Sequence, residues 1–424
     1  MKSPECSVKA KWSVLAFLCA IFTVYTVDRA LLGLLAIPIQ EETGMSNLRF
    51  GVLSSGIFWT YALVAPFSGL AGDRFDRPKL IGAVVICWSV ATLLAGFAGG
   101  FWSLFLLASF AIVIPQTFYS PTASALIASL HTDTRTAAMS CHQAAFYTGW
   151  FVSGAAVAAI LSLFGTWRAA FFAFGSLGLV LGLGFLVLFG RTRSSQARAI
   201  GQSNNPTVRQ SLRAFWGCPS ALLASVGYVT VVFVSCGYCA WGPKFIAQKF
   251  SVSAAAAGTG VMFWHYAVSF ATILVTGVVT DRLVKRFPRC RLVLAMAAFL
   301  VAMPTLVLFG FGPTRQLALA GAALLGAMWG VLGANQFTNL FDVIRPDCRA
   351  GAIGFLNVVA ALVGSLAPMA LGWASERYGL RGFEVGFAAM GGLLVVPVAA
   401  FLVSFLFTFN RDRIVEGITE LQNH

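Results

Sequence analysis

This chain is short of charge. Of its 424 residues only 10% are Asp, Glu, Lys or Arg, with 15 acidic against 29 basic. Soluble domains run near 25% charged, so a soluble globular protein is excluded. A mean hydropathy of +0.82 and an apolar content of 58% point to the bilayer instead. Four histidines and nine scattered cysteines make no metal-ligand cluster and no disulfide framework. Cys236-Gly-Tyr-Cys239 has C-x-x-C spacing but lies inside an apolar run, so it reads as structural. No glycine-rich phosphate motif appears, and no Ser/His/Asp arrangement has supporting context, so neither catalysis nor a cofactor is expected. Short alternating segments are missing, which excludes a transmembrane barrel. A cleavable signal peptide is not expected either: the first apolar run is too long, carries Asp-Arg and lacks a small-residue cleavage site.

What the chain does have is twelve apolar runs, at 12–37, 50–71, 80–99, 102–129, 137–163, 168–189, 218–242, 256–280, 292–311, 316–341, 350–373 and 383–409. A helix needs about 20 such residues to cross a membrane, so the predicted fold is an all-α membrane protein of twelve transmembrane helices. If both termini are cytoplasmic, 21 basic residues fall in inside segments, 7 in outside segments, and Arg29 within a run. The positive-inside rule then sets that orientation, in a plasma (bacterial inner) membrane. The net charge of +14 is thereby topological, and nucleic acid is not expected as a partner.

The only long polar stretch between runs, 191–215, reads as a flexible cytoplasmic linker. It separates an N-terminal half, 1–190, from a C-terminal half, 216–424. The halves repeat. Gly69-Leu-Ala-Gly-Asp73-Arg74-Phe-Asp-Arg77-Pro-Lys79 follows the second run, and Gly277-Val-Val-Thr-Asp281-Arg282 follows the eighth, its aspartate 208 residues later. Asp133-Thr-Arg135 is matched by Asp347-Cys-Arg349, and Trp167-Arg168-Ala-Ala-Phe171 by Leu380-Arg381-Gly-Phe383. Three matches at nearly one offset imply a duplicated unit of six helices, hence two pseudo-symmetric bundles.

Asp28 and Arg29 stand in the middle of the first run. A charge at that depth costs about 2.5–3.5 kcal/mol on insertion scales, and such residues face a protein interior or a wet cavity. Consecutive helical residues point about 100° apart, so the two serve different surroundings. One reading is a substrate or proton site; the other is a structural ion pair between helices.

With these residues in view, the chain resembles transporters of the major facilitator superfamily over essentially its whole length. Gly69 to Lys79 resembles that family's signature loop, with Asp76 where the signature usually has glycine. The resemblance implies a conformational latch of Gly69, Asp73, Arg74 and Arg77, with Asp281 and Arg282 serving the second half more loosely. Tyr25-Thr-Val-Asp28-Arg29 resembles the first helix of the Spinster-type and anion:cation symporter branches, and Gln116-Thr-Phe-Tyr119-Ser120 the Spinster-type fourth helix. That branch usually carries an arginine and, seven residues on, a glutamate where this chain has Ser109 and Gln116. A glutamine cannot carry a proton, which leaves Asp28 alone.

The resemblance also implies that helices 1, 4, 7 and 10 line a central cavity. The polar groups on them are Tyr25, Asp28 and Arg29; Gln116, Tyr119 and Ser120; Tyr228, Tyr238 and Trp241; and Asn335, Gln336 and Asn339. Asn335 and Asn339 share one helix face. Arg29, Tyr25, Gln116, Tyr119, Tyr238, Trp241, Asn335, Gln336 and Asn339 are the candidate substrate ligands. Asp28, His142 and His265 are the candidate proton carriers, and Asp342 a gate or cap. A buried histidine is often an interhelical hydrogen-bond partner, and can also carry protons near neutral pH.

The expected function is secondary transport of a small organic solute, an organic anion moved with protons by alternating access. The alternatives are a Spinster-like carrier of lysolipids or other amphipaths, an uncoupled facilitator, and a receptor or scaffold built on a transporter fold. The expected partners are the solute, protons and the bilayer, and the resemblance implies a monomer.

Overall fold

The computed structural model describes residues 8–131, 133–190, 208–345 and 348–413, which are helical almost throughout, with no strand among them. Among these residues, twelve helices are long and apolar enough to cross a membrane. Spans 1 to 6 are Lys11–Leu34, Asn47–Ser68, Arg77–Ala95, Phe101–Leu130, Ala137–Phe164 and Trp167–Phe189. Spans 7 to 12 are Pro219–Phe250, Ala254–Leu283, Cys290–Phe311, Arg315–Phe341, Gly351–Tyr378 and Leu380–Asp412. They coincide with the twelve apolar runs because, in lipid, a helix satisfies every backbone group internally. Residues 191–207 of the linker lie outside the described residues, and its last part is the start of a helix, Val208–Trp216.

Local sequence explains where the spans begin and bend. Side chains of Asp76, Thr166 and Thr314 accept from the backbone N–H groups of Lys79, Arg168 and Leu317 at the starts of spans 3, 6 and 10. Spans 5 and 11 both end on a glycine with positive φ, Gly165 at 69° and Gly379 at 59°. Only glycine adopts that conformation at no steric cost, and the two positions are repeat-equivalent, just ahead of Arg168 and Arg381. Span 4 carries a π-helical stretch, Phe105–Ala111, in which the Ile112 N–H donates to the Leu107 carbonyl at 2.9 Å. Pro115 lies just beyond and has no N–H with which to continue the ladder. The widened turn holds Ser109, whose hydroxyl donates to the Leu53 carbonyl of span 2 at 2.9 Å.

The helices pack as two compact units. The first gathers the described parts of Met1–Ser203 with Cys236–Ala267 and Ser365–Phe383. Its core holds Trp88, Trp167 and Trp241, all fully buried. The second gathers the described parts of Asn204–Ser235, Val268–Gly364 and Glu384–His424. There, Asp412 at the end of span 12 accepts from the Ser220 N–H at 2.9 Å and so caps the start of span 7.

In the first unit one carboxylate ties three loops. Glu42 accepts from Trp167 Nε1 at 2.6 Å and from Arg168 Nη2 at 2.6 Å. Arg168 Nη1 also donates to the carbonyls of Gly96 and Ala98, at 2.9 and 2.7 Å. The hydrogen bonds from Arg168 and then Trp167 hold the Glu42 carboxyl below its ordinary pKa. A depressed folded-state pKa contributes stability above the unfolded value that is lost as pH falls through the folded one. Glu42→Gln is therefore expected to lower the thermal midpoint of the purified protein at pH 7. The gap to wild type should close as pH falls below the ordinary glutamate range; a constant gap would contradict this assignment.

Candidate functional site

In the first unit, span 1 presents Tyr25 and Arg29 one helical turn apart. Arg29 Nε donates to Gln116 Oε1 of span 4 at 3.2 Å. Its guanidinium lies 5.3 Å from the centre of the Tyr25 ring and 5.8 Å from that of Tyr61, within cation–π range. No carboxylate lies within ion-pair distance of Arg29 among the described residues. Both oxygens of the neighbouring Asp28 carboxylate are buried and have no hydrogen-bond partner among the described residues, nor does Gln116 Nε2. Arg29 and Asp28 are thus adjacent in the chain but unpaired, and a charge left on Asp28 without partners would be costly.

Behind it stands an aromatic wall. Tyr25 stacks on Tyr119 at 5.9 Å and meets Trp88 edge-on at 6.0 Å. The Tyr119 hydroxyl donates to the Leu18 carbonyl at 2.8 Å and lies 3.3 Å from His142 Nε2. His142 in turn stacks on Phe22 at 4.3 Å. The structure thus brings Tyr25, Arg29, Gln116, Tyr119 and His142 into one network drawn from spans 1, 4 and 5, with the Tyr119 hydroxyl engaged inside the bundle. Tyr61 belongs to it as well. Nothing in its own stretch of sequence distinguishes it from the aromatics around it.

The ends of spans 1, 2, 5, 7, 8 and 11 remote from the linker close on one another within the same unit. The approach is backbone to backbone. A Cβ on Gly51 would meet the Pro368 carbonyl oxygen at 2.6 Å, one on Gly372 the Asn47 carbonyl at 2.6 Å, and one on Gly154 the Gly258 carbonyl at 2.6 Å. Small residues permit such contact between membrane helices. Polar groups complete it. Ser55 donates to the Ser365 carbonyl at 2.5 Å, Trp241 Nε1 to the Pro368 carbonyl at 2.8 Å, and the Leu48 N–H to Glu376 at 2.9 Å. The buried Lys244 ammonium donates to Gln40 Oε1 and, at 2.6 Å, to Asn47 Oδ1. Tyr238, Trp241 and His265 belong to this seal, with the Tyr238 and His265 rings 4.8 Å apart. Lys244 is one of the seven basic residues that the apolar runs place in outside segments. The signal was its place inside Trp241-Gly-Pro-Lys244, at the end of an apolar run.

The second unit holds the amide pair. Asn335 Nδ2 donates to the Val331 carbonyl at 3.0 Å. Asn335 Oδ1 and both amide atoms of Asn339 are buried with no hydrogen-bond partner among the described residues. Asn339 lines a cavity of about 10 Å³ with Tyr228 and Leu332, room for about one water. Tyr228 donates to Asn357 at 2.6 Å. The side chains of Gln336, Asp73 and Arg74 lie outside the described residues, as do the surroundings of Gly69. Of the remaining latch residues, Arg77 donates to the Ala125 carbonyl at 3.4 Å. Asp281 lies 3.9 Å from Arg291, which holds Asp342 through two contacts of 2.8 Å from one nitrogen. Arg282 is exposed.

Lys244→Ala should leave the buried amide oxygen of Gln40 without its Lys244 donor, a cost of about 1–3 kcal/mol, while Asn47 Oδ1 keeps the Gln40 Nε2 donor at 3.0 Å. A clear drop in thermal midpoint is expected, and an unchanged midpoint would show that the cluster does not hold the seal.

A family model described as Major Facilitator Superfamily matches residues 17–368. The chain is 24% identical over 397 residues to an MFS-type efflux pump of Mycolicibacterium smegmatis, covering 92% of this chain and 89% of the pump. It is 26% identical over 364 residues to protein spinster homolog 1 of Xenopus tropicalis, covering 80% and 68%. It is 25% identical over 417 residues to a "probable sulfoacetate transporter" of Cupriavidus necator, covering 93% and 94%. Among solved structures, an inward-facing, unoccupied bacterial homologue of the human lysosomal transporter Spinster superposes with a TM-score of 0.79. The identity there is 22%, over 98% of this chain and 100% of that one.

Proposed function

We propose an anion-transport function for this chain, which belongs to the Major Facilitator Superfamily and is an integral, multi-pass membrane protein of that superfamily's transporter fold. Its solute is a small organic anion, moved by alternating access and coupled to protons. The observation that carries this reading is the Arg29 guanidinium, which stands within a membrane span facing an amide and two tyrosine rings, with no carboxylate in ion-pair distance among the described residues. An arginine keeps its proton, so a carboxylate, sulfonate or phosphate on the solute would supply the missing charge. The relative named for sulfoacetate transport accords with such chemistry.

Asp28 is the proposed proton carrier. Its buried oxygens lack partners, so a proton is the simplest means of removing their charge in this state, and exposure to water on the other face would release it. His142 and His265 are the further candidates. The seal around Lys244 closes one access route, and Asp73, Arg74, Arg77, Asp281 and Arg282 latch the other end. Asn335, Gln336 and Asn339 contribute solute hydrogen bonds from the second half. The division at the linker, the cytoplasmic termini, the plasma membrane and a monomeric state complete the proposal.

A second reading, transport of a lysolipid or other amphipath, has one observation in its favour: the aromatic wall of Phe22, Tyr25, Trp88 and Tyr119 beside the single cation. A thermal-shift screen of organic anions and lysolipids at pH 5.5 and 7.5 separates the two, since a ligand of the folded state raises its midpoint. Stabilisation by an anion should weaken roughly tenfold to a hundredfold in concentration dependence in Arg29→Ala, the worth of a charged hydrogen bond. Stabilisation by lysolipids alone, unchanged in Arg29→Ala, would favour the second reading. In vesicles, Asp28→Asn should abolish accumulation driven by a pH gradient while solute exchange persists; accumulation by that variant would remove Asp28 from the coupling.

A further inference from the structure

The helix Val208–Trp216 is unlike the others in being both short and strongly two-sided. Ser211 and Phe215, one turn apart, are buried, and the Phe215 ring packs on Phe355 of span 11 at 5.7 Å. The fit is close: a Cβ on Gly351 would lie 2.6 Å from that of Ser211. Arg209, Arg213 and Trp216 face outward and are exposed. Between this helix and the chain leaving span 10 runs an open groove of about 410 Å³, lined by Gln210, Arg213, Ala214, Val343, Ile344 and Arg345. Arginines therefore stand on both walls, and none of the six lining residues has a carboxylate. Asp342, next in the chain, is held by Arg291. Arg345 is positioned by a 3.7 Å contact to the Cys348 sulfur.

The depth of the groove follows from the chain. The helix ends at Trp216 and span 7 begins at Pro219, while Val343 lies two residues past the end of span 10 at Phe341. The groove is thus at the polar boundary of the bilayer, where an exposed tryptophan is at home and basic side chains attract anionic lipids. Arginine matches phosphate oxygens through its fork of donors, and the half-buried Ala214 offers an apolar edge to the glycerol and first acyl carbons, which a free ion would not use, with Val343 and Ile344 buried beneath. We propose that this groove binds the headgroup of an anionic phospholipid of the adjoining leaflet. The site is separate from the Arg29 cluster and does not depend on what the protein transports.

Native mass spectrometry of the full-length protein, released from detergent with added phosphatidylglycerol or phosphatidylcholine, tests this. Wild type should retain a bound phosphatidylglycerol in preference to phosphatidylcholine. Arg213→Gln should weaken that retention about fivefold, and Arg345→Gln added to it by about as much again. Lys285→Gln, an exposed basic residue outside the groove, should retain the lipid as wild type does. Because Arg213 is exposed, its variant is expected to keep the wild-type thermal midpoint without lipid, which reports on folding separately. Equal retention by Arg213→Gln and wild type would overturn the proposal. So would equal retention of both lipids, or complete displacement of phosphatidylglycerol by millimolar inorganic phosphate.

Discussion

An arginine side chain does not give up its proton in a protein, so Arg29 brings a permanent positive charge into the first membrane span. The structure answers that charge only in part. An amide oxygen takes one N–H and two tyrosine faces contribute their quadrupoles. The adjacent carboxylate points elsewhere, because consecutive helical residues diverge by about 100°. The remaining organisation of this unit can be understood from that imbalance. Aromatic rings fill the wall behind the cation, polar hydroxyls there are consumed by helix backbone and by His142, and the Asp28 carboxyl is left buried by itself.

The same economy governs the seal. Membrane helices gain little from apolar contact with one another, since lipid is just as apolar. Close approach at Gly51, Gly154 and Gly372, with a few buried hydrogen bonds, does the joining instead. A lysine there is held by two amide oxygens rather than by a carboxylate.

Much of this was legible in the sequence. The twelve spans follow from unbroken apolar runs, and the repeat from the three pairs of loop motifs, including Arg168 and Arg381. Arg29, Gln116, Tyr25 and Tyr119 each stood out as polar or aromatic groups on predicted lining helices. Their grouping did not, because Arg29 and Gln116 are 87 residues apart and helical periodicity reports a face, not a neighbour. Lys244 was read as a loop charge because its partners Gln40 and Asn47 lie 204 and 197 residues away. Tyr61 was indistinguishable from other interior aromatics. The helix at the end of the linker was hidden by its brevity, as nine residues are too few to show a period against a polar background.

The measurement that addresses the central claim most directly is proton movement driven by an organic anion. Protein in vesicles containing a trapped pH dye would be exposed to a panel of carboxylates and sulfonates, sulfoacetate among them, with no imposed proton gradient. The account predicts a solute-dependent change of internal pH in wild type, abolished in Arg29→Gln because the anion no longer binds. A pH change of equal size in Arg29→Gln would contradict it, as would uptake of the same solute by wild type with no proton movement.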